Sequence, residues 1–247
     1  ASVLAEKVGF DAVNVSSFDL SNSADSLLAV DARTKFAWLS ANLAWRKDGS
    51  LVFNPDKVFT RGNLKIGVFG VMSDNYLGTP LFNEPSPIMV TDINEAAKKE
   101  VSRLKKECDL VIALTYMSED EMTDMLDNVS GIDVVIFSHN NYHNPSSDHS
   151  ANQPKKIGKT LVLKCPDGGR TIGVAELHII NGKTDFAEDT SDVIYNSQEA
   201  VNTLESSAYR HYFFDLGPEV KNDPEVQKLL NEFVDARNRL KAGIGMQ

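Results

Sequence analysis

The stretch Leu64-Lys65-Ile66-Gly67-Val68-Phe69-Gly70-Val71-Met72 is the longest apolar run of the chain and predicts its strongest β-strand. A long helix is predicted next, at 93–107, because its apolar residues recur at helical spacing. The run 109–115, DLVIALT, then predicts a second buried strand. A short helix at 119–127 and a strand at 134–137 repeat this order. Strands and helices that alternate in this way predict an α/β domain of the layered α-β-β-α kind rather than a helical bundle.

Further elements are predicted on both sides of this unit. Two proline-containing stretches, 73–91 and 138–156, predict surface loops. The first residues, up to Gly9, have the pattern of a helix end, so we expect the fold to begin without its first strands. In chain order, the remaining predicted elements are a strand at 12–15, a helix at 24–34, a strand at 36–40, a strand pair at 51–53 and 57–60, and an antiparallel pair at 160–164 and 173–180.

The composition is that of an ordinary globular chain and excludes several classes of function. Of the 247 residues, 42% are hydrophobic and 24% are charged, which excludes disordered and fibrous proteins. The chain has 25 Lys and Arg against 35 Asp and Glu, and the resulting net charge of −10 disfavours nucleic acid and anionic membrane surfaces as partners. No apolar run approaches the roughly 20 residues of a membrane-spanning helix. We therefore expect no membrane span.

The last quarter of the chain differs in pattern from the rest. Regular alternation of strands and helices stops after residue 182, which predicts a C-terminal extension at 183–247. A helix predicted at 224–241 carries an apolar stripe that could pack on the domain or bind another subunit. The extension also contains aromatic residues of the types enriched at protein interfaces, namely Tyr209, Tyr212, Phe213 and Phe214. These features predict a protein partner or self-association.

Five segments of the chain form an ordered set: 9–15 (GFDAVNV), 39–43 (LSANL), 65–71 (KIGVFGV), 109–115 (DLVIALT) and 131–136 (GIDVVI). In order and spacing they resemble the catalytic domain of the metallophosphoesterase (calcineurin-like) superfamily, in its 5'-nucleotidase branch. The resemblance covers most of the first 180 residues and implies two facing β-sheets flanked by helices. We therefore expect residues 1–182 to be a metallophosphoesterase-like domain that lacks its N-terminal motifs.

The resemblance also implies a chemistry. Members of this superfamily hydrolyse phosphate esters with two divalent metal ions, which convert water to hydroxide and neutralise phosphate oxygens. The ions are held by a cluster of His, Asp and Asn side chains. The test of the resemblance is therefore whether these ligands are present in this sequence.

Most of the ligand motifs are altered. The family's Gly-Asn-His-Glu/Asp motif reads Ser-Ser-Phe-Asp at 16–19, so only its carboxylate persists. A tyrosine at 116 stands where the family has a metal-binding histidine, and the Gly-His-x-His motif reads Ser-His-Asn-Asn at 138–141. The family's earliest ligands, Asp-x-His and Gly-Asp, have no counterpart in the 247 residues. The degenerate metal-site positions are therefore Ser17, Phe18, Asp19, Tyr116, His139 and Asn141.

Several of these residues have a plainer structural interpretation. Asp19 is either a remnant carboxylate or the cap of the turn in which it lies. Tyr116 could fill the volume that the metal ions would occupy. A single-metal site remains an alternative in the loop that holds His139, His143, Asp148 and His149, since imidazole and carboxylate suit zinc. The competing interpretation of that loop is a solvated polar segment without metal.

The altered ligands predict a non-catalytic scaffold that serves binding or assembly and needs no cofactor. The alternative is a metal-dependent phosphoesterase of the 5'-nucleotidase type, whose remaining ligands lie on a segment outside this chain and which uses divalent metal ions. The resemblance further implies a periplasmic or extracellular location, because members of this branch are commonly exported.

Overall fold

A computed structural model describes residues 7–21, 23–74, 86–138, 149–165, 169–189 and 205–243. Its strands are β1 (Ala12–Asn14), β2 (Ala37–Leu39), β3 (Leu43–Trp45), β4 (Asp56–Arg61), β5 (Leu64–Met72), β6 (Ile88–Val90), β7 (Leu110–Tyr116), β8 (Val134–Ser138), β9 (Lys155–Ile157), β10 (Thr160–Leu163), β11 (Thr171–His178), β12 (Ala187–Glu188) and β13 (Ala208–Asp215). Its helices are α1 (Ala24–Asp31), α2 (Ile93–Leu104), α3 (Glu119–Asn128) and α4 (Pro224–Gly243), and a 3-10 helix spans His149–Asn152. The predicted α/β fold class is confirmed.

The three most apolar predicted strands form the middle of a six-stranded sheet. Its strand order is β4-β5-β7-β8-β10-β9, in which β5, β7, β8 and β10 run parallel while β4 and β9 are antiparallel edge strands. The register sets Ile66 beside Leu110 and Ile112 beside Val134. Central parallel strands are commonly covered on both faces and are then apolar throughout. Here the strands are covered by helices on one face and only partly covered on the other, where Ile136 of β8 is 47% exposed.

Helices α2 and α3 cover one face of the central sheet. Asp92 caps α2 by accepting a hydrogen bond from the backbone N–H of Glu95 at 2.8 Å. Ser118 and Glu121 form a capping box at the start of α3. The core between helices and sheet consists of buried apolar side chains, among them Phe69, Val101, Leu104, Val111, Met122 and Met125.

Three smaller sheets lie apart from this helical layer: the parallel pair β1–β2, the antiparallel pair β3–β6, and the three strands β11-β13-β12. The first pair approaches the central sheet very closely at Gly70. A Cβ atom on Gly70 would lie 2.7 Å from the carbonyl oxygen of Leu39 and closer still to Oδ1 of Asn14. Only glycine fits there. Contacts of this kind, together with a shared apolar cluster under β11 and β13, hold the second layer against the sheet.

Two predicted strand pairings are wrong. The strand at 57–60 belongs to β4 and pairs with β5, while residues 51–53 form no strand beyond one bridge to Ala44. The strand at 160–163 is β10, which lies beside β8 in the central sheet, and β11 pairs with β13 instead. In each case the predicted partner was the neighbour along the chain. Strand β4 forms a hairpin with β5, its next neighbour along the chain, whereas the pairings of β10 with β8 and of β11 with β13 join distant segments, which local pattern does not reveal.

Both predicted loops contain some regular structure. The segment 73–91 includes β6, which pairs with β3, and the segment 138–156 includes the 3-10 helix and the start of β9. Residues 75–85 and 139–148 lie outside the described part of the chain. Strand β6 is three residues long and directly follows the proline-containing stretch that ends at Pro87, so its segment gave no periodic signal.

The predicted aromatic cluster is part of strand β13. This strand pairs with β11 over its full length, and its side chains alternate between two faces of the sheet. Tyr209 is buried, whereas Tyr212 and Phe214 are 49% and 52% exposed. The four aromatic residues therefore do not form one continuous patch. The domain boundary at residue 182 stays a prediction, although β13 joins the predicted extension to the preceding strands.

Helix α4 confirms the predicted C-terminal helix but not its packing on the domain. In the described part of α4 no side chain is buried, and Leu230, Phe233 and Val234 are 38%, 58% and 39% exposed. An ion pair between Lys7 and Glu225 ties its first turn to the N-terminal residues. None of the helices in the described ranges is long and apolar enough to cross a membrane.

Candidate functional site

The described degenerate metal-site positions lie at or near the carboxyl ends of the central strands. Met72, Tyr116 and Ser138 are the last residues of β5, β7 and β8, and the register sets them side by side. The backbone continues this row, since the N–H of Ser73 donates to the carbonyl of Tyr116 at 2.8 Å and that of Met117 donates to Ser138 at 3.1 Å. Ligands of open parallel sheets bind at this edge. The described motif positions therefore lie at the edge of the sheet where a ligand-binding site is expected.

The turn after β1 uses its carboxylate internally. Oδ2 of Asp19 accepts hydrogen bonds from the backbone N–H and the hydroxyl of Ser16, at 2.9 and 2.6 Å. The backbone N–H of Asp19 in turn donates to the carbonyl of Ser16 at 3.2 Å. This is the geometry of a carboxylate that caps its own turn, the second of the two interpretations of Asp19. Beside it, Ser17 is 3% exposed, whereas the Phe18 side chain is 41% exposed.

Tyr116 lies in an apolar cluster. It is 6% exposed and packs in one group with Val15, Leu20 and Met72. Its neighbour Met72 is fully buried. An apolar cluster therefore surrounds Tyr116, the position that corresponds by motif spacing to a metal-binding histidine of the superfamily that the chain resembles.

Asn42, in the predicted motif 39–43, ties two strand ends together. Its Nδ2 donates to the carbonyls of Met72 and Thr91 at 2.7 and 3.1 Å, and its Oδ1 accepts from the N–H of Met72 at 3.0 Å. Asn42 is fully buried. Asn42 is part of the motif at 39–43, for which the sequence predicted no individual role. Its three hydrogen bonds show that the motif is structural, because they satisfy backbone groups where β5 ends.

The described residues do not fit a pair of metal ions. Among them no group of three or more His, Cys, Asp or Glu side chains could hold a metal ion. Of the altered motif positions they include, Phe18 has no donor atom and Asp19 is engaged in its turn. His139, Asn141, His143 and Asp148 lie outside the described residues.

His149 is the one candidate of the histidine-rich loop that the structure describes. Its Nε2 lies 2.9 Å from Oδ1 of Asp215, and its ring stacks on Phe213 at 4.6 Å between centroids. Asp215 also accepts a hydrogen bond from the hydroxyl of Thr171 at 2.9 Å. These contacts attach the 3-10 helix to strand β13. They give His149 a structural role on the small sheet.

The predicted interaction residues have different surroundings. Tyr209 is packed with Phe186 and Leu161 in the apolar cluster beneath β13, and burial raises its pKa above the usual value. Phe213 lies between the rings of His149 and His211. Only Tyr212 and Phe214 remain largely exposed on the outer face of β13. No contact of the described chain identifies a partner for them.

Comparisons with known proteins agree with the resemblance. No protein-family model matches the chain. The chain is 26% identical over 205 residues to a 5'-nucleotidase of Vibrio vulnificus, a match that covers 72% of this chain and 36% of that protein. It is 23% identical to protein UshA of Salmonella pullorum over an alignment 259 positions long, which covers 92% of this chain and 45% of that protein. A 5'-nucleotidase precursor from Thermus thermophilus has a similar structure, with a TM-score of 0.71 at 17% identity over 97% of this chain and 45% of that one.

These similarities confirm the recognised fold. The matches span between 36% and 45% of the length of the two curated relatives, so they relate this chain to one part of each. The Vibrio vulnificus relative is named a 5'-nucleotidase, whereas the described motif positions of this chain are the buried Ser17 and Tyr116, the exposed Phe18 and the turn-capping Asp19. The two observations point to different activities and have to be weighed against each other.

Proposed function

We propose that this metallophosphoesterase-fold domain of the 5'-nucleotidase branch acts as a binding scaffold and does not itself hydrolyse phosphate esters. The observation that carries the proposal is the burial of Tyr116 among Val15, Leu20 and Met72, at the strand end where the family binds metal. A phenol in an apolar cluster is a poor metal ligand near neutral pH because the charged form of tyrosine is disfavoured by burial.

The cost of charge supports this proposal. In the family, the metal pair supplies hydroxide and neutralises the phosphate. Two divalent ions need a compensating set of negative and imidazole ligands, since an uncompensated charge in an apolar site costs roughly several kcal/mol. The described side chains at this end offer Ser17, Phe18 and Tyr116 instead. We derive no hydrolytic step through a metal pair from these residues.

A second candidate is metal-dependent phosphate ester hydrolysis of the 5'-nucleotidase type. The name of the Vibrio vulnificus relative, a 5'-nucleotidase, favours it and supports it better than it supports a scaffold. His139 and Asn141 would contribute to such a site, with divalent ions as cofactors and with further ligands from a segment beyond these 247 residues. The two proposals make opposite predictions for the native protein, purified with any segment that it carries beyond these 247 residues.

Hydrolysis of p-nitrophenyl phosphate in the presence of manganese or zinc distinguishes them. We expect no metal-dependent release of nitrophenol above the rate of a buffer control. The scaffold proposal fails if release depends on added metal and is lost in the His139→Ala variant of the same preparation. A Tyr212→Ala variant is the matched control, since that side chain is exposed on β13 and belongs to no ligand motif.

We further propose that the protein acts outside the cytoplasm and engages a protein partner. The relative from Thermus thermophilus is described as a precursor, which supports export of that protein and, by similarity, of this one. The exposed aromatic residues Tyr212 and Phe214 and the exposed stripe of α4 support a protein partner. Fractionation of the native cells with an antibody against this chain tests the location.

A further inference from the structure

Helix α4 is 20 residues long, and its apolar stripe faces solvent. The stripe consists of two partly buried residues, Val226 and Leu229, and of three exposed ones, Leu230, Phe233 and Val234. Most of the stability of a helix in a protein comes from packing of its apolar face, and a helix without such packing is marginal in water. A helix of this length with an exposed stripe therefore indicates a packing partner.

The apolar residues of α4 have the spacing of a helix that packs along another helix. Val226, Leu229, Phe233 and Ala236 follow one another at intervals of three, four and three residues. This alternation keeps a single row of side chains facing a second helix, and we call the row the α4 seam. Glu232 and Arg239 are seven residues apart, so they lie on the same side of the α4 seam.

Two copies of the α4 seam complement each other when the helices run antiparallel. In the register that packs Phe233 on the small Ala236 of the second copy, the two-fold axis also packs Ala236 on Phe233. In the same register Glu232 is level with Arg237 of the second copy and about 3 Å from the level of Arg239, given a rise of about 1.5 Å per residue. Each Glu232 thus meets basic residues of the second copy, and the two-fold axis repeats the contact.

Neither Glu232 nor Arg239 is strongly engaged within its own helix. Glu232 lies 4.0 Å from Lys228, and both of these side chains are exposed, so this ion pair contributes little. Nε of Arg239 donates to the backbone carbonyl of Asp235 at 3.3 Å. The other N–H groups of a guanidinium point outward in a fork that suits a carboxylate. Both side chains can therefore pair across an interface.

The charges along α4 also favour the antiparallel orientation. Residues 224–232 carry Glu225, Glu232 and Lys228, a net charge of −1, whereas residues 233–239 carry Asp235, Arg237 and Arg239, a net charge of +1. An antiparallel pair sets halves of opposite charge side by side and opposes the two helix dipoles. A parallel pair would set like halves together, with Arg239 level with Arg239 of the second copy. The surface that complements α4 in both shape and charge is therefore a second α4.

We propose that α4 pairs with α4 of a second copy of the chain in an antiparallel contact, in which Phe233 packs on Ala236 and Glu232 pairs with Arg239. The inference rests on the proposed binding function and specifies its partner. Two helices of 20 residues meet over about 30 Å, which makes a small interface of the kind found in weak association. We therefore expect a dimer that forms at high protein concentration and dissociates on dilution. A monomeric protein would overturn this inference alone, whereas metal-dependent hydrolysis would overturn the scaffold without changing the mass.

The test measures the mass of the native protein, with any segment that it carries beyond these 247 residues, by sedimentation equilibrium over a range of concentrations. Glu232→Arg and Arg239→Glu should each weaken dimerisation at least about tenfold, because each places like charges across the interface. The double variant should regain most of the affinity of the parent, since its charges attract again. Asp235→Arg is the control and should leave the dimer unchanged, because Asp235 lies on the face of α4 opposite to the seam. A double variant as weak as the single ones, or an equal loss in the control, overturns the antiparallel contact.

Two phenylalanines locate the contact. Phe233→Asp should weaken dimerisation at least about tenfold, because it places a charge in the apolar centre of the interface. Phe214→Asp should not, since Phe214 is 52% exposed against 58% for Phe233 but lies on β13. If circular dichroism shows that Phe233→Asp loses helix, Phe233→Gln replaces it, because glutamine is a good helix former. Equal effects of the two substitutions, or a monomeric mass of the parent at every concentration, overturn the proposal.

Discussion

At the carboxyl end of the central sheet, where the family holds its metal ions, Met72, Tyr116 and Ser17 are 0%, 6% and 3% exposed. On the outer face of the same sheet, where two small sheets leave a gap, Ile136 is 47% exposed above cavities of about 530 and 270 Å³. The described motif positions at the carboxyl end are therefore packed, whereas the outer face of the sheet is open. A further cavity of about 560 Å³ lies beside the packed positions and is lined by polar residues such as Asp92 and Glu121, which belong to no ligand motif.

This contrast shows what packing says about function. A catalytic site keeps room for substrate and for water, and its polar groups point into that room. The carboxyl end of this sheet instead satisfies polar groups internally, through Asn42 and Asp19. The gap on the outer face of the sheet is the opposite case. The side chains that line it are mostly apolar, and the edges of β1 and β11 are unpaired among the described strands. Variants at the two regions test this difference in packing.

Truncation of a side chain should lower the free energy of unfolding strongly at the packed carboxyl end and only slightly at the gap on the outer face. We expect Met72→Ala to lower the free energy of unfolding by about 2–5 kcal/mol, because it removes a fully buried side chain and leaves a cavity. Ile136→Ala should cost less than about 1 kcal/mol, since half of that side chain already contacts water. Urea unfolding measures both. Equal losses of stability would mean that the gap on the outer face is closed in solution, so that the two regions do not differ in packing.

Two glycines test the same contrast by adding a methyl group. Gly70→Ala should cost about 1–3 kcal/mol, because its Cβ would meet the carbonyl oxygen of Leu39 and Oδ1 of Asn14. Gly173→Ala should change stability by no more than about 0.5 kcal/mol, because its Cβ would lie 3.7 Å from Cys165 and His211. Thermal unfolding of the two variants provides the comparison. A Gly70→Ala protein as stable as the parent would show that β1 and β2 do not press on the sheet as described.

Much of this fold could be predicted from sequence, and the part that could not has a physical reason. The apolar runs 64–72 and 109–115 predicted β5 and β7 because buried parallel strands leave a continuous hydrophobic signal. The pairing of β10 with β8 and of β11 with β13 could not be predicted, since it depends on contacts between segments far apart in the chain.

The candidate site was predictable by position and only partly by role. Motif spacing led to Tyr116 and to the turn at 16–19, and the alternative role of Asp19 as a cap was open from the start. The clamp formed by Asn42 was not predicted, because its partners Met72 and Thr91 are distant along the chain. The gap on the outer face of the central sheet could not be predicted from the sequence, because it is formed between sheets and no single segment determines it.

The turn after β1 gives a smaller test. Asp19→Asn should lower the free energy of unfolding by about 1 kcal/mol, because the charged acceptor of two hydrogen bonds from Ser16 becomes a neutral amide. Asp127→Asn, an exposed position at the end of α3, is the control and should be within about 0.5 kcal/mol of the parent. Urea unfolding again measures the difference. An unchanged stability for Asp19→Asn would reopen its interpretation as a remnant ligand.

The smallest expected effect depends on pH and lies on the helical face. Burial, followed by the nearby charge of Asp56, raises the pKa of Glu100 above its usual value. A raised carboxyl pKa in the folded state means that stability is fully present below the unfolded pKa and is lost as the pH rises through the folded pKa. Glu100→Gln should therefore be more stable than the parent at about pH 7, by less than about 1 kcal/mol, and equally stable at about pH 3.

Arg103 should tolerate this change. It keeps ion pairs with Asp56 at 2.5 Å and with Glu107 at 2.7 Å when Glu100 is neutralised. Unfolding midpoints measured at both pH values supply the test, and the difference between variant and parent cancels the other titrating groups. A variant less stable than the parent at neutral pH would show that the contact of Glu100 with Arg103 outweighs the cost of its burial.

Metal content tests the central claim most directly. The native protein, with any segment that it carries beyond these 247 residues, is incubated with excess manganese or zinc and dialysed against metal-free buffer. It is then analysed by inductively coupled plasma mass spectrometry beside its His139→Ala variant. Because Phe18 and Tyr116 occupy ligand positions and Asp19 is engaged in its own turn, we predict no stoichiometric metal in either protein. Two ions per parent chain, lost in the His139→Ala variant, would contradict the account and favour the hydrolase alternative.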